Sequence, residues 1–143
     1  MVITSQIADI RKTNYRLTAL YLGQEAMEIV KNVRDENLIK KFSWENGFEN
    51  NGCYRVSHDS LTLISEPCGS CDSGISALKI DSNGYYNHDG SGADTNFRRQ
   101  IRIENLSEGG YPYKKVTITM CWRDGANKYS ATVIDHLYGY WNP

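Results

Sequence analysis

The first forty positions carry an apolar pattern of helical period. Ile3, Ile7 and Ile10, then Leu17 and Leu20, fall at three- and four-residue spacings, and Ala26, Met27, Ile29, Val30 and Val33 follow. Such spacing describes an apolar stripe along one face of a helix. The stretch has no proline, and Gly23 is its only glycine, so nothing in it obliges a helix to stop. The pattern predicts one helix of roughly 35 residues, about 50 Å long at 1.5 Å per residue. A globular helix averages about 11 to 12 residues, so an element this long asks for a partner beyond its own domain. Asn14 and Gln24 interrupt the stripe, which makes a coiled coil the weaker reading. Lys40 and Lys41 suit the negative end of the helix dipole, and the period stops there.

Residues 43–52 are rich in asparagine and glycine and read as a connecting loop, from which Phe42, Trp44 and Phe48 can fold back onto a core. Shorter periods follow. Residues 53–57 and 60–65 flank His58-Asp59 as a hairpin, with Leu61 and Leu63 on one face and Thr62 and Ile64 on the other. A loop at 66–73, a short strand at 75–80 and the loop-like 81–96 come next. The clearest β pattern starts at Asn96, where Phe97, Arg99, Ile101 and Ile103 alternate with Arg98, Gln100 and Arg102. This places the isoleucines on a core face and basic side chains on the other. After a turn-rich 106–113, Val116, Ile118, Met120 and Trp122 alternate with Thr117, Thr119 and Cys121. Asp124-Gly125 signals a tight reversal. The return strand sets Tyr129, Ala131 and Val133 against Thr132, Ile134 and His136, before an aromatic tail at 137–143.

The expected fold is therefore α+β: a long N-terminal α-helix packed on an antiparallel β-sheet. A chain of 143 residues suits one domain, divided into a helical stem and spine (1–41), a variable loop and short-strand region (42–96) and a C-terminal antiparallel sheet (97–143).

Sixteen basic and 17 acidic residues leave a net charge of -1, which gives no electrostatic case for a nucleic-acid or membrane-surface binder. Ten tyrosines against three phenylalanines give an aromatic surface with polar handles, suited to half-wet positions. No run of 18 or more apolar residues spans a bilayer, and no basic-then-apolar signal opens the chain. Met1 leads straight into Val2 and Ile3 without a cap. That start is expected to be a cut inside a helix, with an apolar segment upstream in the native gene.

Cys53, Cys68, Cys71 and Cys121 permit two disulfides in three connectivities. The CxxC at 68–71 lacks a second close pair for zinc and sits in a turn-rich loop rather than opening a redox helix, so disulfides in an oxidising compartment are favoured. A bridge at this motif would pin the 66–73 loop. Asp81, Asp89 and Asp94 are candidate calcium ligands, but the loop lacks the twelve-position calcium pattern and the aspartates read better as turn formers. Neither a nucleophile elbow, a phosphate-binding loop nor a metalloprotease motif occurs. Glu25 and Glu28 read as a solvated face or as partners for Lys31. Arg98, Arg99 and Arg102 read as a solvent face balancing nearby acids. No enzyme activity and no cofactor are expected.

Two parts of the chain resemble a family. LGQEAMEIVKNVRDENLIKKFSW (22–44) resembles the end of the helix in type IV pilins and their minor, pilus-modification relatives, where an Ala-Gln-Glu-Gly-like turn precedes an Ile-Val-basic-Asn-x-Arg-Asp stretch. TNFRRQIRIEN (95–105) and VTITMCWRDGANKYSATVIDHLYGYW (116–141) resemble the sheet of the same group. The family's processing motif is not in this chain, and the alanine and glycine of the turn are Gly23 and Ala26 here. The resemblance implies a prepilin-derived structural subunit on the cell surface, with other pilin subunits and the assembly machinery as partners. It implies no metal or cofactor, and membrane contact only through a missing N-terminal segment. Ile3, Ile7, Ile10 and Leu17 would then face neighbouring subunits. Met27, Ile29, Val30 and Val33 would pack on the sheet against Ile101, Ile103, Val116, Ile118 and Met120. An alternative from another class is a tip adhesin that recognises a ligand through the 81–96 loop and the C-terminal tyrosines.

Overall fold

A 38-residue helix, α1 (Val2–Ile39), lies across an antiparallel sheet of seven strands. The computed structural model describes residues 2–59, 62–88 and 90–139, with helix side chains from residue 6 onward. The strands are β1 (Gly52–Arg55), β2 (Ile64–Glu66), β3 (Ala77–Ile80), β4 (Tyr86–Asn87), β5 (Ala93–Glu108), β6 (Tyr111–Asp124) and β7 (Asn127–Tyr138). The last three form a meander. The other edge of β5 is shared: its first half pairs with β3, its second half with β1, and β4 and β2 lie outside these. The fold class is α+β.

At its C-terminal end, α1 stops by backbone geometry that no glycine announces. Lys41 adopts a left-handed φ of 59°. The Phe42 amide then donates to the Asn37 carbonyl at 2.9 Å and the Lys41 amide to the Leu38 carbonyl at 3.1 Å, which is the bond pair of a Schellman cap. The buried Asn37 amide donates to the carbonyls of Trp44 and Asn46, tying the following loop to the helix end. Phe48 is buried from that loop and Trp44 is half-buried beside it, whereas Phe42 stays exposed.

Several boundaries differ from the sequence expectation. The turn-rich 106–113 is mostly strand: β5 runs to Glu108 and pairs with Tyr111, leaving only Gly109-Gly110 as the turn. Both glycines have positive φ, 59° and 84°, the requirement of a two-residue type I′ hairpin. Pro112 is tolerated because the alternation of the ladder turns its nitrogen away from β5, towards an edge where β7 has already ended. At the next reversal Gly125-Ala126, not Asp-Gly, occupies the turn, with Gly125 alone at positive φ as a type II′ turn needs. The C-terminal sheet begins at Ala93 rather than Phe97, and the 81–96 segment contains β4. β1 and β2 do pair as a hairpin, but β2 starts only at Ile64, with Leu63 buried just before it. Leu61, like Tyr140, Trp141, Asn142 and Pro143 of the tail, lies outside the described residues.

The main core lies between α1 and one sheet face. Ala19, Leu22, Ala26, Met27, Ile29, Val30 and Val33 are buried on the helix, and Phe97, Ile101, Ile103, Val116, Ile118, Met120 and Trp122 on the sheet. Gly23 sets the approach: a Cβ there would stand 3.1 Å from Val133 Cγ2, closer than carbon contacts settle.

The opposite sheet face carries a strap, residues 67–76. The CGSC pair does not close on itself; Cys68 bonds to Cys53 in β1 and Cys71 to Cys121 in β6. Cys53 stands opposite Arg102 and Cys121 opposite Arg98, so both bridges rise from the face away from the helix. Between them Gln100 Oε1 accepts the Gly69 amide at 2.7 Å. Closing loops of 15 and 50 residues restricts the unfolded chain by about 3 and about 4 kcal/mol in the chain-entropy treatment. The native protein is expected to offer no thiol to alkylation and four after denaturing reduction; free thiols before reductant would contradict the strap. Replacing Cys71 and Cys121 together by serine is expected to cost about 2–4 kcal/mol in urea unfolding.

Candidate functional site

Two features stand out on the surface: the outer ridge of α1 and a cleft at one end of the sheet. The sequence suggests one apolar stripe on the helix, but the structure divides it into two. At 3.6 residues per turn, the directions of Ile7, Ile10, Leu17 and Tyr21 lie roughly 150° from those of Ala19, Leu22, Ala26, Val30 and Val33. The second set is buried under the sheet, while Ile7, Ile10, Leu17 and Tyr21 are each about 60 % exposed. Leu17 and Tyr21 lie alongside the sheet, yet they point away from it. The Ile3 side chain lies outside the described residues. On the sheet side of the stem, Arg11 pairs with Asp124 at 3.0 Å, Lys12 stands over the Tyr129 ring, and Tyr15 meets Phe97 edge to face. Polar groups thus hold the stem where the core thins out.

Arg99 does not belong to a solvent face. It occupies a core-facing position of β5, its side chain is fully buried, and its Nη1 lies 3.0 Å from Glu25 Oε1. The same Nη1 donates to the Leu22 carbonyl at 2.9 Å, and Nη2 donates to the Val56 carbonyl at 2.8 Å. Burial lowers the guanidinium pKa and the Glu25 carboxylate opposes that shift, so the charge is held by its partner. Glu25 is consequently not a partner of Lys31. Lys31 binds Asp135 of β7 at 2.9 Å and approaches Glu28 at 3.7 Å. A second buried cation, Lys114, reaches Glu45, the Glu49 carbonyl and Asn105, with its ammonium over the rings of Trp44 and Phe48.

The cleft follows from strand topology. β5 and β6 pair from Glu108↔Tyr111 back to Arg98↔Cys121 and no further. Beyond that point β5 stays with β3 and β6 stays with β7. The opening between them holds about 310 Å³ above the Cys71–Cys121 disulfide, lined by Thr95 and Asn96 on one side, Trp122, Arg123 and Lys128 on the other, and Arg98 at the fork. The next residues along the two strands, Phe97 and Trp122 and then Asn96 and Arg123, are not paired with each other.

The candidate calcium ligands do another job where they are described. Asp81 accepts the amides of Asn83 at 2.8 Å and Tyr85 at 3.0 Å and forms the turn; Asp94 stands in β5 opposite Lys79. Asp89 lies outside the described residues. Among the described residues no three His, Cys, Asp or Glu side chains gather around a metal-sized space. Sequence reasoning missed the cleft, because strand divergence leaves no local signal, and missed Arg99 and Lys114, because a cation at a core-facing position looks like an error of register.

No family model, curated protein or solved structure matches this chain.

Glu25→Ala leaves a buried guanidinium without its counter-charge and is expected to cost about 3 kcal/mol or more, read by urea unfolding. Arg99→Met is expected to cost less, since Glu25 is 18 % exposed and can rehydrate. For the Lys31–Asp135 pair, the hydrogen bond from Lys31 holds the Asp135 carboxyl below its ordinary value. Its stabilisation is therefore present above the unfolded carboxyl pKa and lost as pH falls through the folded one. The same bond raises the Lys31 pKa, so the high-pH limit lies above the ordinary lysine range. Asp135→Asn is expected to lower Tm at pH 7 by about 1–4 °C and to have no effect once the carboxyl is protonated; an equal loss at both ends of the acid limb would contradict the ion pair.

Proposed function

We propose that this chain is a structural subunit of a bacterial type IV pilus or related pseudopilus, displayed at the cell surface and joined to its neighbours through the N-terminal half of its helix. The observation that carries the reading is the two-sided helix. One face is spent on the domain's own core, while Ile7, Ile10, Leu17 and Tyr21 form an exposed apolar ridge about 21 Å long. Exposed apolar side chains gathered on one helix face, here in two pairs either side of Asn14, mark an interaction site, and a long helix offering them favours helical company. The sequence resemblance at 22–44, 95–105 and 116–141 supplies the family, and a sheet stapled by two disulfides suits an oxidising exterior. A ligand-binding role carried alongside assembly is the second reading, favoured by the cleft where β5 and β6 part.

The division of the helix is tested by paired substitutions. Val30→Asp places a carboxylate in the core and is expected to unfold the chain. Ile7→Asp and Leu17→Asp are expected to leave Tm within about 2 °C, as surface changes do, while abolishing incorporation into filaments when the substitutions are placed in the gene of the source cells. Equal thermal damage from both kinds, or normal filaments from Ile7→Asp with Leu17→Asp, would refute the assignment.

A further inference from the structure

We infer that the cleft between the diverging ends of β5 and β6 is a binding site for a monosaccharide-sized anionic ligand, whose carboxylate or phosphate group is held by Arg123, Lys128 and Arg98. This deepens the ligand-binding reading and is independent of helix-mediated assembly.

Three observations converge. The first is size: about 310 Å³ is at the small end of ligand pockets, enough for a single sugar ring with its charged group and too little for a longer ligand to be enclosed. The second is charge. Around this end of the sheet Arg11 and Asp124 pair off at 3.0 Å, and Asp94 lies opposite Lys79. Among the described residues, the ion pair recorded on Arg98, Arg123 or Lys128 is the one between Lys128 and Asp72, in a chain whose net charge is -1. The excess is thus a local feature and not the overflow of a basic protein.

The third is hydrogen-bonding capacity. The ladder ends at Arg98↔Cys121, two pairs short of Asn96 and Arg123, so polar and cationic side chains of both strands line the gap where they part. Asn96 adds a side-chain amide suited to sugar hydroxyls, whereas the Thr95 hydroxyl is already bonded to the Leu78 carbonyl and the Phe97 amide. One nitrogen of Arg98 is fixed by the Ile75 carbonyl at 3.0 Å, which presets the guanidinium at the fork.

The molecule already holds a carboxylate at this rim. Asp72 Oδ1 lies 2.7 Å from Lys128 Nζ, and both Lys128 and, more weakly, Arg123 favour its ionised form. Asp72 comes from the disulfide-held strap, next to Cys71. A ligand carboxylate or phosphate would compete with it for the same ammonium, so Asp72 acts as an internal competitor whose removal strengthens binding.

The test uses the chain as it stands, titrated with glucuronate, glucose 6-phosphate, glucose, and inorganic sulfate and phosphate, read by calorimetry and by amide shifts of Asn96 and Arg123. Glucuronate or glucose 6-phosphate is expected to bind saturably and to shift both amides; the preference between them tells a sugar carboxylate from a sugar phosphate. Arg123→Gln with Lys128→Gln is expected to weaken that binding about tenfold or more, the equivalent of one hydrogen bond to a charged group, and Asp72→Asn to strengthen it. These opposite signs cannot both arise from damage to the fold. The inference is overturned if no ligand saturates, if glucose binds as well as the charged sugars, if sulfate or phosphate alone binds as tightly (an adventitious ion only), or if Asp72→Asn leaves the affinity unchanged. Failure here would leave the assembly reading, which is read from filaments, untouched.

Discussion

The position of the helix on the sheet depends on one buried charge. Arg99 joins three elements at once: Glu25 and the Leu22 carbonyl on α1, the Val56 carbonyl just past β1, and its own strand β5. Aliphatic surfaces can slide past one another at small cost, but a guanidinium without water accepts only the geometry that satisfies it. Its Nε finds no partner among the described residues, which makes the bonds at Nη1 and Nη2 more constraining. Glu25 sits between Leu22 and Ala26, two fully buried helix positions. The ion pair therefore fixes rotation and axial register of α1 together, and so decides which helix residues face outward.

That rotation links core to surface. With Ala19, Leu22, Ala26, Val30 and Val33 turned to the sheet, Ile7, Ile10, Leu17 and Tyr21 are turned away, although nothing in their chemistry separates them from core residues. Gly23 reinforces the choice by letting β7 come close at Val133. Polar contacts extend the same orientation beyond the core, through Arg11 to Asp124 and Lys31 to Asp135. The exposed ridge is thus a consequence of how tightly the other face is specified.

A similar economy governs the far face. The strap is held at Cys68 and Cys71 by disulfides, one to β1 and one to β6, and the second attaches at the last paired position of β5 and β6. Past that point the two strands serve different neighbours, and between the pairs Ala77↔Arg98 and Lys79↔Asp94 β5 carries extra residues that shift its register on β3. Covering one part of a sheet while its strands diverge leaves a recess at the boundary. Here the recess carries cations, because the residues beyond the disulfide are Arg123 and Lys128.

Much of this architecture is local and was legible in the residue order. Period and the absence of proline define α1 almost to its ends, and alternation in 97–103 and 116–122 identifies the central strands and their buried faces, because helix and strand periods differ enough to be read without a partner. Turn positions were less legible: Gly109-Gly110 shortens an apparent loop to two residues, and Lys41 takes a left-handed conformation that sequence assigns to glycine. Four cysteines favoured bridges without saying which, since pairing depends on distances set by the folded sheet. Above all, one apolar stripe in the sequence became two opposed faces, and one basic cluster separated into a buried Arg99 and surface-facing Arg98 and Arg102. Periodicity records that a residue is apolar or charged and where it lies around its own axis. Only packing against another element decides which side of that axis is inside, because burial is a property of the neighbour as much as of the residue.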